Sequence, residues 1–214
     1  MIVRTACTGS FQENCYLVAD PKTREALVID PGEGVEEIEA VIARDHLKPV
    51  AIANTHAHID HIHGVAALKK RFRIPFALHP DDAFWLAAAP EAAQSFGIRF
   101  GEIPTVDRWL QSGDELACGA LRFQVRLAPG HTPGHLCFVG HGAAFVGDVL
   151  FPGSIGRTDL PGGDYATLIA SIRQELLTLP DETVVYAGHM APTTIGQERK
   201  TNPFILDPGR FGPL

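Results

Sequence analysis

The sequence lacks the features that mark several large classes of protein. It has no apolar run long enough to span a bilayer. Its first residues contain no basic segment followed by a sustained apolar one, so we expect no signal peptide. Acidic residues (25) outnumber basic ones (18), and the formal net charge of −7 argues against nonspecific binding to nucleic acid. No repeat with a short fixed period is visible.

Cysteine is scarce, and its four positions are scattered without any CxxC pair: Cys7, Cys15, Cys118 and Cys137. So few cysteines in a chain of this length do not indicate a disulfide scaffold. We predict that they are reduced and mostly buried, which favours a cytoplasmic location. None of them lies among the residues of metal-binding type, so a thiolate ligand is not expected.

The composition that remains is that of an ordinary globular protein. With 45% hydrophobic and 20% charged residues over 214 positions, the chain can bury a real core, and we predict a single domain spanning residues 1–214. Strands, a helix and a loop of ligand-type residues occur in the first half, and a similar set recurs in the second. Two layers of sheet with helices outside them are therefore the economical packing.

Four element predictions can be compared directly with a structure. We predict a helix over residues 35–46, ended by the lysine-proline pair at 48–49. Residues 90–104 are predicted to be irregular and to cover a site. An amphipathic helix is predicted over residues 166–179, and the tail from Ala191 onward shows little periodicity.

The densest chemical signal is the stretch 54–64, Asn-Thr-His-Ala-His-Ile-Asp-His-Ile-His-Gly. Imidazole and carboxylate are the side chains that bind borderline and hard divalent metals. His56 and His58 are two residues apart and point the same way in extended chain, whereas Asp60 and His61 are adjacent and cannot share that direction. This spacing predicts two metal positions side by side. His63 lies outside the pattern, and we predict that it is not a ligand.

A second signal recurs at the ends of strands. An apolar strand that ends in a small residue or threonine is followed by a residue of metal-binding type. This occurs three times, and the residues that follow the strands are His56, Asp148 and His189. His131 follows a proline-glycine pair after the strand that ends at Leu127. Because strand ends fix the roots of loops, ligands placed there are held rigidly. The pattern predicts one site assembled from distant parts of the sequence.

These residues, in this order, resemble the metallo-β-lactamase superfamily of binuclear hydrolases over essentially the whole chain. Within it the chain is similar to the small hydroxyacylglutathione hydrolases (glyoxalase II-like). That similarity lies in the segments 129–135 (Pro-Gly-His-Thr-Pro-Gly-His), 153–159 (Gly-Ser-Ile-Gly-Arg-Thr-Asp), 194–199 and 202–204. The resemblance implies an α+β fold, a four-layer αββα sandwich with the metals at one sheet edge.

The resemblance also implies how two divalent ions are held, with zinc expected and iron or manganese as alternatives. One ion would take His56, His58 and His131. The other would take Asp60, His61 and His189, and Asp148 would bridge them. Seven ligands exceed what one tetrahedral zinc can use, which independently favours two ions. A hydroxide bridging the ions would attack an acyl carbon, and Asp60 would orient it as well as bind metal.

The implied substrate is a small thioester such as S-D-lactoylglutathione. Arg157 stands where the larger glyoxalase II enzymes hold glutathione with a cation, and a guanidinium suits a carboxylate. The alternative is that Arg157 merely pairs with Asp159 or Asp164. Those larger enzymes carry a C-terminal helical domain for which this chain has no room after His189. We therefore expect weak affinity and broad specificity, and neither nucleic acid nor membrane as a partner.

Two other activities remain open. A persulfide dioxygenase of the same fold uses one iron, whose facial triad would match His58, His131 and Asp148. Hydrolysis of lactones or β-lactams ranks lower, because the glycine-rich segment 153–163 resembles the thioesterase branch more closely.

Among the remaining side chains, we predict that His135 supports the loop of His131. Trp85 and Trp109 are predicted to anchor the core or a loop, not to stack on a substrate.

Overall fold

The computed structural model describes residues 1–211 and divides the chain into two compact units. The first comprises Met1–Leu110 with Leu116–Arg122, and the second comprises Gln111–Glu115 with the chain from Phe123 onward. The single domain over residues 1–214 stays a prediction. Among the described residues, no helix has both the length and the apolar character that crossing a membrane requires.

The first unit is built on a mixed sheet whose strands lie in chain order. The strands are β1 (Ile2–Thr8), β2 (Glu13–Ala19), β3 (Glu25–Ile29), β4 (Lys48–Ala53), β5 (Phe76–Leu78) and β6 (Arg108–Trp109). β1, β2 and β3 pair antiparallel, whereas β3 to β6 pair parallel. β2 is buried throughout, as expected of a strand covered on both faces.

The helices of the first unit are α1 (Val35–Arg44), α2 (Ile59–Ile62), α3 (Val65–Phe72) and α4 (Ala83–Ser95). In α1, acids stand in the first turn and Arg44 in the last, which suits the helix dipole. The predicted end of this helix was wrong: it stops at Arg44, and Lys48 and Pro49 begin β4. The register of β4 shifts just after Pro49, because proline has no N–H to donate to the ladder.

The prediction of an irregular segment over 90–104 was wrong for residues 90–95. α4 runs through Pro90 to Ser95 and buries Leu86, Ala89 and Ala93. Alanine, the best helix former, dominates the sequence on both sides of the proline. Propensity together with burial of one helix face therefore outweighs the lost hydrogen bond of a single proline.

The second unit has a sheet that includes β8 (Leu121–Leu127), β9 (Leu136–Gly140), β10 (Ala143–Gly147), β13 (Val184–Ala187) and β14 (Thr193–Thr194). β9 and β10 form an antiparallel hairpin, and β10 also pairs parallel with β13. The short strands β11 (Leu150–Phe151) and β12 (Ser154–Ile155) pair inside the glycine-rich segment. β7 (Glu115–Cys118) and β8 each contain a boundary between the units, after Glu115 and after Arg122.

The helices of the second unit are α5 (Tyr165–Ser171), α6 (Ile195–Thr201) and α7 (Pro203–Leu206). The helix predicted over 166–179 is present as α5 followed by a π-helical turn, Ile172–Leu176. The tail is more regular than predicted, because Thr194 and Asn202 accept backbone N–H groups and cap α6 and α7. Helices of one or two turns are too short to show a hydrophobic period.

The cysteine prediction is confirmed. All four cysteines are free, and Cys7 is exposed while the other three are buried. Burial raises the pKa of the Cys15 and Cys118 thiols, which keeps them in the unreactive protonated form.

Candidate metal centre

Four of the predicted ligands lie together in the first unit. His56 and His58 follow β4 in extended chain, and α2 then begins at Ile59 and carries Asp60 and His61. The ring of His56 lies 4.8 Å from that of His58 and 4.1 Å from that of His61. Nε2 of His61 is 3.7 Å from a carboxylate oxygen of Asp60. The three histidines are buried, whereas the Asp60 side chain is 16% exposed.

A buried carboxylate that the sequence did not predict fixes two of these rings. Asp30 accepts hydrogen bonds from the backbone N–H of Thr55 (2.7 Å) and from its hydroxyl (2.6 Å), and it lies 3.2 Å from Nδ1 of His61. The Thr55 oxygen lies 3.1 Å from Nδ1 of His56. A carboxylate only accepts, so Nδ1 of His61 donates to it. Nε2 is then the nitrogen of both rings that suits a metal.

Asp30 shares only part of the sequence pattern that singled out Asp148 and His189. It directly follows the apolar strand β3, but that strand ends in Ile29 and not in a small residue or threonine. Its backbone has a φ of 50°, a region that aspartate and asparagine tolerate better than most residues. One ligand atom from each of Asp30, His56 and His61 lies within 4.8 Å of the other two.

Two further acids support the histidine loop without any sequence signal. Asp82 is fully buried and accepts the backbone N–H of Ala57, between His56 and His58, at 3.0 Å. Glu13 is also buried, accepts from the Thr8 hydroxyl at 3.0 Å and lies 3.9 Å from Nδ1 of His61. Burial raises the pKa of the Glu13 carboxyl well above its usual value.

His63 points away from this group. It is partly buried, and its Nε2 lies 2.9 Å from the carbonyl oxygen of Arg99. The structure thus separates His63 from the neighbouring histidines, as predicted. His58 makes a T-shaped contact with Trp85, with the ring centroids 4.5 Å apart.

The other three predicted ligands meet in the second unit. Oδ2 of Asp148 lies 3.7 Å from Nε2 of His131 and 3.6 Å from Nε2 of His189. Two atoms bound to the same tetrahedral zinc lie about 3.4 Å apart, since each bond is about 2.1 Å. The observed spacings fit donors that share a cation. Nδ1 of His131 lies 2.8 Å from the carbonyl oxygen of Arg157, which again makes Nε2 the nitrogen that suits a metal.

Close backbone packing holds this second group of ligands. The backbone N–H of Asp148 donates to Nε2 of His135 at 3.1 Å, so His135 is a supporting residue, as predicted, although it holds Asp148 directly. Gly156 packs so closely that a Cβ there would collide with the Asp148 carbonyl and lie 3.1 Å from Nδ1 of His131. The glycine-rich segment therefore contributes to the site through its shape.

Arg157 forms an exposed ion pair with Asp159. Its Nε and Nη2 each donate to one carboxylate oxygen at 2.7 Å. This pair raises the pKa of Arg157 and lowers that of Asp159 to about 2. Asp164 instead caps α5 by accepting the N–H of Thr167. Of the two ion-pair partners considered for Arg157, Asp159 is therefore the one it binds. The role of Arg157 in binding substrate stays a prediction.

The fold and the donor groups define a class of metal-dependent hydrolases. The chain belongs to the metallo-beta-lactamase superfamily, whose family model matches residues 8–189. It is 42% identical over 200 residues to the hydroxyacylglutathione hydrolase GloC of Haemophilus influenzae, an alignment that covers 92% of this chain and 94% of GloC.

Two solved structures are similar along almost their whole length. The crystal structure of BLEG-1 B3 metallo-beta-lactamase has a TM-score of 0.89 and 38% identity, covering 95% of this chain and 99% of that one. TTHA1623, solved in a di-iron-bound form, has a TM-score of 0.87 and 42% identity, covering 94% and 100%. These similarities confirm the predicted α+β fold of the metallo-β-lactamase type. They also support divalent metals as cofactors.

Proposed function

We propose that this protein is a two-metal hydrolase that cleaves small thioesters such as S-D-lactoylglutathione. One ion would be held by His56, His58 and His131. The other would be held by Asp60, His61 and His189, with Asp148 bridging. The observation that carries the proposal is the position of Asp148, whose Oδ2 is almost equally far from Nε2 of His131 and of His189. These two histidines belong to different ligand sets, so the spacing supports a bridging carboxylate.

The donor set fits more than one divalent metal. Imidazole nitrogens and carboxylate oxygens without a thiolate suit zinc, and they also suit iron and manganese. The similarity to TTHA1623, named for its di-iron-bound form, supports iron as the alternative. When bound, such ions supply an activated water and stabilise negative charge that develops on an acyl oxygen.

The chain's own residues supply orientation and proton transfer. Asp60 is the predicted catalytic carboxylate, and its partial exposure beside the buried His61 leaves it within reach of solvent and substrate. It can orient the attacking water and accept its proton. A thiolate leaving group has a pKa of roughly 8.5 and needs little assistance from an acid. The similarity to GloC, a hydroxyacylglutathione hydrolase, supports a thioester as the substrate.

Arg157 is the proposed contact for a carboxylate of the substrate. Its guanidinium is largely exposed, and its partner Asp159 is exposed as well. Exposed ion pairs contribute little free energy, so a substrate carboxylate can replace Asp159 at low cost. The same reasoning predicts weak affinity for glutathione itself.

β-Lactam hydrolysis is the second candidate, because BLEG-1 is named a B3 metallo-beta-lactamase and is 38% identical to this chain. The discriminating experiment uses purified protein with its metals quantified. It is assayed on S-D-lactoylglutathione, on a chromogenic cephalosporin and, for oxygen uptake, on glutathione persulfide. We expect two metals per chain and thioester cleavage that chelation abolishes and added metal restores.

A matched pair of variants tests the ligand assignment. His61→Ala should lose metal and activity. His63→Ala should keep both, because His63 is a partly buried histidine two residues away whose Nε2 meets the carbonyl oxygen of Arg99. A thioesterase rate that survives chelation would refute the mechanism. One iron per chain with oxygen uptake on the persulfide would instead establish the dioxygenase.

A further inference from the structure

Two aromatic side chains at the start of α4 lead outward from the histidine loop. The ring centroids of Trp85 and His58 lie 4.5 Å apart in a T-shaped arrangement, with an interplanar angle of 84°. The Phe84 ring lies 5.2 Å further along, against Trp85. His58 is buried, Trp85 is partly buried against the core of the first unit, and Phe84 is 44% exposed. The aromatic pair, Phe84 and Trp85, thus connects a proposed metal ligand with solvent.

The surroundings of the aromatic pair disfavour a charged substituent. Asp81, whose side chain is 61% exposed, and the buried Asp82 precede Phe84 by three and two residues in the chain. These carboxylates would repel the carboxylates of a glutathione moiety. An uncharged apolar group gains free energy on the same surface by removing ring area from water. Of the two halves of a thioester, the acyl half is therefore the one that suits this position.

We infer that the aromatic pair is the acyl subsite, and that the favoured substrates are thioesters with an apolar, preferably aromatic, acyl group. This inference rests on the thioesterase function proposed above. A carbonyl held next to His58 places its substituent against Trp85, and a larger substituent extends to Phe84. Trp85 is partly buried against the core of the first unit, as predicted for an anchor. A contact with the acyl group departs from the prediction that Trp85 does not stack on a substrate, and the ring contact with His58 is the reason for it.

The first test compares two thioesters with the same leaving group, S-D-lactoylglutathione and S-mandeloylglutathione, in which phenyl replaces methyl. A phenyl group against two rings buries on the order of 60 Å² more apolar surface, which corresponds to about a tenfold preference in kcat/KM. Trp85→Ala should remove this preference, and Phe84→Ala should reduce it. Trp109→Ala is the control, because Trp109 is an exposed tryptophan of β6 in the same unit. It should keep the preference.

The second test measures binding without turnover. Trp85 and Trp109 are the only tryptophans of the chain, so Trp109→Phe leaves Trp85 as a single fluorescent reporter. In the metal-loaded protein, mandelate should change this fluorescence saturably, and at concentrations about tenfold lower than lactate. In Trp85→Phe, where Trp109 is the reporter, neither acid should produce a saturable change.

The two tests separate this inference from the function on which it rests. Thioester cleavage with no preference for mandeloyl, or with a preference that Trp85→Ala leaves intact, overturns the acyl subsite while the thioesterase stands. Cleavage of neither thioester, together with mandelate binding reported by Trp85, overturns the thioesterase while the aromatic subsite stands. If Trp85→Ala does not fold, Phe84→Ala carries the same comparison, because its side chain is already 44% exposed.

Discussion

The substitution Asp30→Asn isolates the contribution of the buried carboxylate behind the histidine loop. Asparagine has the same shape and also tolerates the positive φ of 50° at this position. It has a single acceptor oxygen, however, and its amide N–H₂ would face the hydroxyl of Thr55 or Nδ1 of His61, which both donate to Asp30. The variant therefore disturbs ring orientation and leaves the backbone unchanged.

The expected magnitude follows from the role of Asp30. Loss of a partner that orients a metal-binding histidine costs about 10–100-fold in metal affinity, or about 1.4–2.7 kcal/mol. The ion held with His61 should be affected more than the ion held with His56, because His61 contacts Asp30 directly and His56 only through Thr55. Competition with a chromophoric chelator, together with the metal count per chain, measures both affinities.

Asp20→Asn is the matched control for this experiment. Asp20 is also a carboxylate of the first unit, but it accepts the backbone N–H groups of Lys22, Thr23 and Ala120. Its loss should lower the melting temperature without changing metal affinity. If Asp30→Asn binds both metals as tightly as the unaltered protein, the assignment of Asp30 as an orienting residue is wrong.

Three further predictions have defined outcomes. Asp148→Ala should lower the metal content of both positions, measured by elemental analysis, because the carboxylate is proposed to bridge them; loss of only one ion would contradict the bridge. Gly156→Ala should displace Asp148 and reduce both metal content and stability, whereas Gly153→Ala, with open space around its Cβ but a φ of 68°, should cost about 1 kcal/mol and keep the metals. Hydrogen bonds from Ala120 and the turn backbone lower the pKa of Asp20, so its stabilisation is present above the usual carboxyl pKa and is lost as pH falls through the folded value. Thermal unfolding should show a deficit for Asp20→Asn at pH 7 that disappears in acid, and a deficit unchanged in acid would contradict this reasoning.

The proposed metal ligands were predictable from the sequence, because the pattern that identifies each of them lies within a few neighbouring residues. The loop at His56 to His61 is dense enough to be recognised alone, and His131, Asp148 and His189 follow apolar strands or a proline-glycine turn. The apolar strands that precede His56, Asp148 and His189, which are β4, β10 and β13, were equally visible. The cytoplasmic location and the identity of the metals stay predictions.

Only the tertiary structure decided which residues support those ligands. Asp30 meets a histidine 31 positions away, Asp82 meets the backbone of Ala57 25 positions away, and Pro90 stays within α4 because one face of that helix is buried. Local sequence determines propensity and the supply of donor groups. Hydrogen bonding over long separations and burial depend on how the chain packs, and together they orient each ring and fix its donor nitrogen.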